Sequence, residues 1–310
     1  KADMANGTSI SANSSDIYTA VLNGGTFTMS GGSTTQPVTV PGGTFTMTGG
    51  TFTLVGTMKV NGGAFHMSGG AIRSAAKEKN TGVTLTSGTF DLSGGEIADF
   101  ARGVEVRGGT LTVSGTAKVT ENGTTLYGIR NLKNVYLSSG MKMNVGEMTA
   151  GAEIGVTMSG APGVFTSGGS SYADFFSPDD PNYTVSASGS DLQLSGGPTE
   201  VTSVRIFADG EELTTTLAYY ELTIKVGQTV QLTAKFDPED VKYRWYTDPV
   251  NIECLTLTED GKLTGIKSKD GTPWVRLLYN NDKKEKILHV RIEEPESYTV
   301  TYDMQGHGTQ

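Results

Sequence analysis

"GGTFTMSGG" fills residues 24–32, "GGTFTMTGG" residues 42–50 and "GGAFHMSGG" residues 62–70. Aligned on the central apolar residue, Phe27, Phe45, Phe65, Phe90 and Leu111 fall in equivalent places at spacings of 18, 20, 25 and 21 residues. A recurrence of about twenty residues is the period of a solenoid. Each unit reads roughly V-x-V-x-G-G-T-F-T-M-S-G-G-x-I, as in "VTVPGGTFTMTGGTF" from 38, "VTLTSGTFDLSGGEI" from 83 and "VEVRGGTLTVSGTAKV" from 104. Inside each short run apolar and polar residues alternate, which is the period of a strand and excludes a helix. Runs this short, repeating the same inward set in the same order, are predicted to wrap as coils. Stacked about 4.8 Å apart, the coils would place like beside like, with one column from Phe27 to Phe90 and another of Met29, Met47, Met67 and Leu92. The glycine pairs supply the corners between strands.

The expected fold class is therefore all-β, with an N-terminal parallel β-helix (β-solenoid) over residues 1–197, given right-handed winding by analogy with known solenoids. After residue 115 the period weakens. "GIRNLKNVYLSSGMKMNVG" and "IGVTMSG" still alternate, and "YTVSASGSDLQLSGG" at 183–197 reads as a last coil. Between them "YADFFSPDDPNY" brings Tyr172, Phe175, Phe176 and Tyr183, a set suited to covering the open end of the stack.

The 310 residues are enough for two or three domains, and aromatics at 8% with apolar residues at 36% reject disorder and collagen despite 42 glycines. A formal charge of −9 argues against nucleic acid, whose phosphates demand clustered Lys and Arg. Cys254 is the sole cysteine, which excludes an internal disulfide and a thiolate zinc site; among Ile252, Leu255 and Leu257 it reads as a core atom. No apolar run is long enough to span a membrane. Lys1 follows neither an initiator Met nor a signal segment, so the chain is expected to be a piece of a larger protein.

From Val201 the glycine punctuation gives way to longer alternating runs, about seven strands' worth, which is the pattern of a β-sandwich. "LTIKVGQTVQLTAKFDPEDVKYRWYTDP" followed by "LTLTEDGKLTGIKS" resembles the group 2 bacterial immunoglobulin-like (BIG2) domain over residues 201–294. Val226, Gly227, Leu232, Trp245, Gly261, Leu263 and Gly265 occupy that family's pattern, whereas "DGTPWVRLLYNN" departs from its usual small-residue strand. Trp245 is expected to anchor the core. Residues 295–310 read as a linker followed by "YTVTYDMQGHGTQ", which resembles the first strand of a Listeria-Bacteroides-type surface repeat. The glycine-rich coils in turn resemble solenoid regions of multidomain surface proteins of anaerobic gut Gram-positive bacteria. These resemblances imply export and a cell-surface or cell-wall location.

Chemistry is sparse. His66, His289 and His307 have no carboxylate or cysteine at ligand spacing, and no G-G-x-G-x-D calcium repeat is present, so neither a metal nor any other cofactor is expected. His66 is predicted to point into solvent. Some β-helices cleave polysaccharides, and Asp91, Glu96, Asp99 and Glu105 could offer paired carboxylates from neighbouring coils. The T-x-T pairs suggest an ice-binding array, but Ala64/His66 and Thr89/Asp91 interrupt it. The remaining reading is a non-catalytic adhesin or structural stalk. Candidate ligand-binding residues form a basic strip, Arg73, Lys77 and Lys79 in the insertion "RSAAKEKNTG" with Arg102, Arg107 and Arg130 nearby, fitted to a host or cell-surface glycan or protein. A monomer is expected, without membrane insertion.

Overall fold

The computed structural model describes residues 2–4, 9–12 and 20–296, apart from 217, 269 and 270; the expected first strand of a further repeat, from Tyr298 on, lies outside them. The chain is all-β and begins with a parallel β-solenoid of about seven turns. It divides into two compact units, residues 1–198 and 199–310.

Three strand columns build the solenoid. The first runs Ala20–Leu22, Val38–Val40, then residues 58–60, 83–85, 104–106 and 135–137, all parallel, with Val83 facing Met58 on one side and Val104 on the other. The second is the column of the repeat itself: Thr26–Met29 pairs in register with Thr44–Met47, and Phe45, Phe65, Phe90 and Leu111 follow in succession. The third stacks Phe52 on Ile72, Ile97, Val119 and Ile154. The strands of the first repeats alternate, so one residue in two points to the axis. Phe45, Phe65, Phe90, Met47 and Met67 are fully buried, whereas the threonines between them face out.

In-register stacking brings identical rings together. Phe27 lies 5.3 Å from Phe45, Phe45 4.8 Å from Phe65, and Phe65 4.6 Å from Phe90, all nearly parallel. Offset-stacked rings add to the stabilisation from burial alone. The glycine corners serve close approach as well as turning. Gly88 has φ +80°, and a Cβ there would lie 2.1 Å from the Gly63 carbonyl oxygen of the coil below. No other residue fits without displacing that coil.

Two segments depart from the repeat. Residues Gly123–Leu126 and Ile129–Leu132 form an antiparallel hairpin that leaves the stack between two coils. At the C-terminal end the expected last coil is instead a second antiparallel hairpin: Tyr183–Ser188 pairs with Asp191–Gly196, and Gly163–Val164 adds a third antiparallel strand. Ser188 faces Asp191 across a two-residue turn in which Gly189 has φ +62°. That turn reverses the chain where a coil would have continued. Its inward residues Leu192 and Leu194 close the core, with Phe176 buried and Tyr172, Phe175 and Tyr183 packed against the same cluster.

A polar column runs inside this apolar stack. The Asn122 carboxamide donates to the carbonyls of Ile97 (2.8 Å) and Thr120 (2.7 Å) and accepts from the Phe100 amide (3.1 Å). Asn134 Oδ1 accepts from both the backbone and the side chain of Asn122, and the Asn134 backbone and side-chain nitrogens donate to Asp179. Thr157 donates to the same carboxylate at 2.7 Å. Asn122 and Asn134 flank the first hairpin, so this network closes its base.

The second unit contains two five-stranded sheets. One orders Glu211–Glu212, Ser203–Ala208, Thr229–Asp237, Lys262–Gly265 and Leu255–Leu257; the other orders Thr215–Thr216, Tyr219–Lys225, Lys284–Glu293, Trp274–Tyr279 and Tyr243–Thr247. Tyr219–Lys225 and Lys284–Glu293 run parallel, and the other pairs of the second sheet are antiparallel. A single apolar cluster draws Ile206, Leu232 and Leu263 from the first sheet and Ile224, Val275, Leu277, Leu288 and Val290 from the second. Trp245, 2% exposed, lies in this cluster, and Cys254 is buried there too. Gly261 makes room for the indole: a Cβ on it would stand 2.7 Å from Trp245 Nε1.

Candidate functional site

The corner between the third and first solenoid columns carries the 73–82 loop, the 123–132 hairpin and a group of charged residues. Glu78, Asp99 and Glu121 occupy it on successive coils, with φ of 59°, 72° and 54°. Backbone bonds join them in a column, Glu78 N–H to the Asp99 carbonyl (2.8 Å) and Asp99 N–H to the Glu121 carbonyl (3.2 Å). Three carboxylates are thus brought to one edge by backbone geometry, and like charges there require counter-ions.

The basic strip meets that requirement. Arg73 bridges Glu96 (2.6 Å) and Asp99 (3.0 Å), and Lys77 adds a longer contact of 3.7 Å to Asp99. Arg130, on the hairpin, sits 3.7 Å from Glu121 and also donates to its carbonyl. Arg102 and Arg107 flank Glu105 on the outer side of the first column, and the Arg102 guanidinium lies 4.2 Å over the Tyr136 ring. Covered by these groups, Glu105 is only 5% exposed although it points away from the core. Lys79 is exposed and forms no ion pair among the described residues. The six residues therefore split into a corner group and an Arg102–Glu105–Arg107 group; the four arginines are ion-paired, whereas Lys77 is 80% exposed with only its long contact to Asp99.

The same contacts occupy the candidate acids. Glu96, Asp99 and Glu105 are ion-paired as above, and Asp91 lies 2.9 Å from His66 Nδ1. His66 points outward as expected, but it has a carboxylate partner that its sequence spacing hides; the 25-residue coil puts Asp91 directly beside it. Among the described residues no group of three or more His, Cys, Asp or Glu side chains could hold a metal ion. No helix among them is long and apolar enough to cross a membrane.

Glu78 ties the 73–82 loop to the 123–132 hairpin. Its carboxylate accepts from the Thr125 hydroxyl (2.6 Å) and the Thr125 amide (2.7 Å), and these bonds hold its pKa below the ordinary glutamate value. A depressed pKa means that the tether contributes fully above the unfolded-state pKa and is lost as pH falls through the lower folded-state value. Acidification through that window is expected to raise hydrogen exchange at the Thr125 amide while leaving the Phe65 and Phe90 amides protected. Protection at Thr125 that does not change with acid would show that the carboxylate is not the tether.

No protein-family model matches the chain, and no curated protein is similar to it.

Proposed function

We propose that this chain is a non-catalytic segment of an exported bacterial cell-surface protein, acting as a structural stalk or adhesin. In this reading the solenoid, wound right-handed, is a stiff display rod, and the second unit is an immunoglobulin-like (BIG2) spacer. One observation carries it: the acids Asp91, Glu96, Asp99 and Glu105 are each engaged by a basic side chain. A glycoside-cleaving pair needs one carboxyl held protonated as the acid and a second free as nucleophile or base. Each of the four is already in contact with a basic side chain, so none of them is left free for either role. The interrupted threonine lattice, where Ala64 and His66 follow Thr44 and Thr46, likewise disfavours ice binding.

Surface recognition is assigned to the exposed edge of the 73–82 loop, where Lys77 and Lys79 stand out beside the paired arginines and would meet an acidic glycan or host-surface protein. The expected affinity is modest, because exposed ammonium groups contribute little each and are screened by salt. Two measurements test the reading together. Incubation with neutral and uronic-acid polysaccharides is expected to give no new reducing ends or unsaturated sugars; steady turnover would establish the alternative, a polysaccharide-active enzyme. On an array of acidic glycans, Lys77→Ala with Lys79→Ala is expected to weaken binding severalfold. An unchanged array would remove the loop from the site.

A further inference from the structure

The outer face of the second sheet of the C-terminal unit holds a row of three rings with no role in the core. Tyr219 and His289 stack at 3.9 Å and 21°, and His289 in turn lies 5.0 Å from Trp274. The cross-strand register makes the row, since Trp274 faces His289 directly. Trp274 is 42% exposed, against 2% for the buried Trp245. A large aromatic surface left in water is unfavourable unless something covers it.

The surroundings specify what could. A depression of about 400 Å³ opens on Trp274, lined by Asp248, Val250, Asn251, Thr272 and Arg276 among others, and it does not touch His289. His289 instead borders a neighbouring hollow with Thr272, Glu221 and Arg291. The Trp274 backbone is held, its carbonyl accepting from the Thr247 hydroxyl (3.0 Å) and the Asn251 carboxamide (3.2 Å), and the indole packs beside His289 with the Arg276 guanidinium 5.7 Å from its ring. Arg276 bonds Asp248 and lies 3.1 Å from Glu285, so its charge is more than matched and the depression offers no spare positive charge.

We propose that this depression is a saccharide subsite, in which a neutral pyranose ring stacks its C–H face on Trp274 and its hydroxyls bond Asp248, Asn251 and Thr272. A dry apolar partner would desolvate the Asp248–Arg276 ion pair, the Asn251 carboxamide and the Thr272 hydroxyl, at a cost that a ring of hydroxyls offsets. An acidic ligand would meet a net negative group and would have to break the Arg276 ion pairs to find a cation. With its backbone held and its ring flanked by His289 and Arg276, Trp274 needs less ordering on binding than a freely rotating side chain would. The subsite shares no residue with the 73–82 loop and does not rest on the role proposed for it.

The two tryptophans make the test direct. In the full chain carrying Trp245→Phe, emission comes from Trp274 alone. If that variant does not fold, the unsubstituted chain serves, with Trp245 as a buried and constant background. Titration with soluble neutral oligosaccharides built on glucose, xylose, galactose and N-acetylglucosamine is expected to change the Trp274 emission saturably for at least one, with a Kd on the order of 0.1–1 mM. Calorimetry on Trp274→Ala should then show affinity at least about tenfold weaker with the circular dichroism unchanged, and Asn251→Ala an intermediate loss. Lys77→Ala should leave it unaltered. The subsite is ruled out if no oligosaccharide gives a saturable response, if folded Trp274→Ala binds as well as the parent, or if only uronic-acid oligomers bind.

Discussion

Replacing Phe65 by alanine is expected to cost about 3–5 kcal/mol, the range for removing a fully buried aromatic ring. Phe65 has no solvent exposure and is sandwiched between the rings of Phe45 and Phe90 at 4.8 and 4.6 Å. The space cannot collapse easily, because the rings above and below are fixed by backbone bonds between coils, which set the strand spacing. The loss should also be local in a way that a globular core would not allow. A solenoid's stability is a sum over neighbouring coils, so a weakened interface in the middle lets the coils before it open separately. Urea denaturation followed by hydrogen exchange is the measurement: amides of residues 26–54 should lose protection before those of 104–119. A loss under about 1 kcal/mol with uniform protection would mean that the ring column does not hold the stack together.

Asn122→Ala is the second large effect, about 3 kcal/mol or more. The substitution removes one small side chain but leaves the Phe100 N–H and the Ile97 and Thr120 carbonyls without their partner. Each buried polar group so stranded costs roughly 1–3 kcal/mol, and a water could recover part of that only where room exists. Since Asn122 and Asn134 close the base of the 123–132 hairpin, exchange at Thr124 to Leu132 should rise in the variant together with the drop in the urea midpoint. A variant as stable as the parent, with a quiet hairpin, would show that the Asn122–Asn134–Asp179 column is incidental to stability.

Much of the first unit was legible because the repeat writes its register openly. A phenylalanine every 18 to 25 residues between glycine pairs leaves parallel stacking as the one arrangement that buries all of them alike. The C-terminal hairpin was misread for a definite reason. The alternation in "YTVSASGSDLQLSGG" is the same for a parallel coil and an antiparallel ribbon, since period two reports which residues face inward and is silent on the strand's neighbour. The turn residues Gly189 and Ser190 between two such runs were the signal for a hairpin. The polar column left no trace in spacing: Asn134 lies 12 residues from Asn122 and 45 from Asp179, distances set by the hairpin and by two coils.

The basic strip shows the same limit. Its residues were read as one strip, but Arg102 and Arg107 pair with Glu105 on their own coil, whereas Arg73 and Lys77 reach Glu96 and Asp99 on the next one, so that part of the pairing depends on the stacking register. The positive φ of Glu78, Asp99 and Glu121 was equally hidden, because glycine marks most of the left-handed corners in the repeats. Trp274 was noticed only as a departure from a family pattern. Its exposure follows from the alternation of Trp274–Tyr279, which turns Val275 and Leu277 inward and Trp274 out.

Parallel stacking has a mechanical consequence. The bonds joining one coil to the next lie along the solenoid axis, whereas the covalent chain runs around it. Tension applied to the ends of the unit therefore loads those bonds a few at a time, and the rod should unravel turn by turn at low force, lengthening by about twenty residues of chain with each event. Sideways bending meets the whole cross-section at once, so the same unit is a stiff spar and a weak tether.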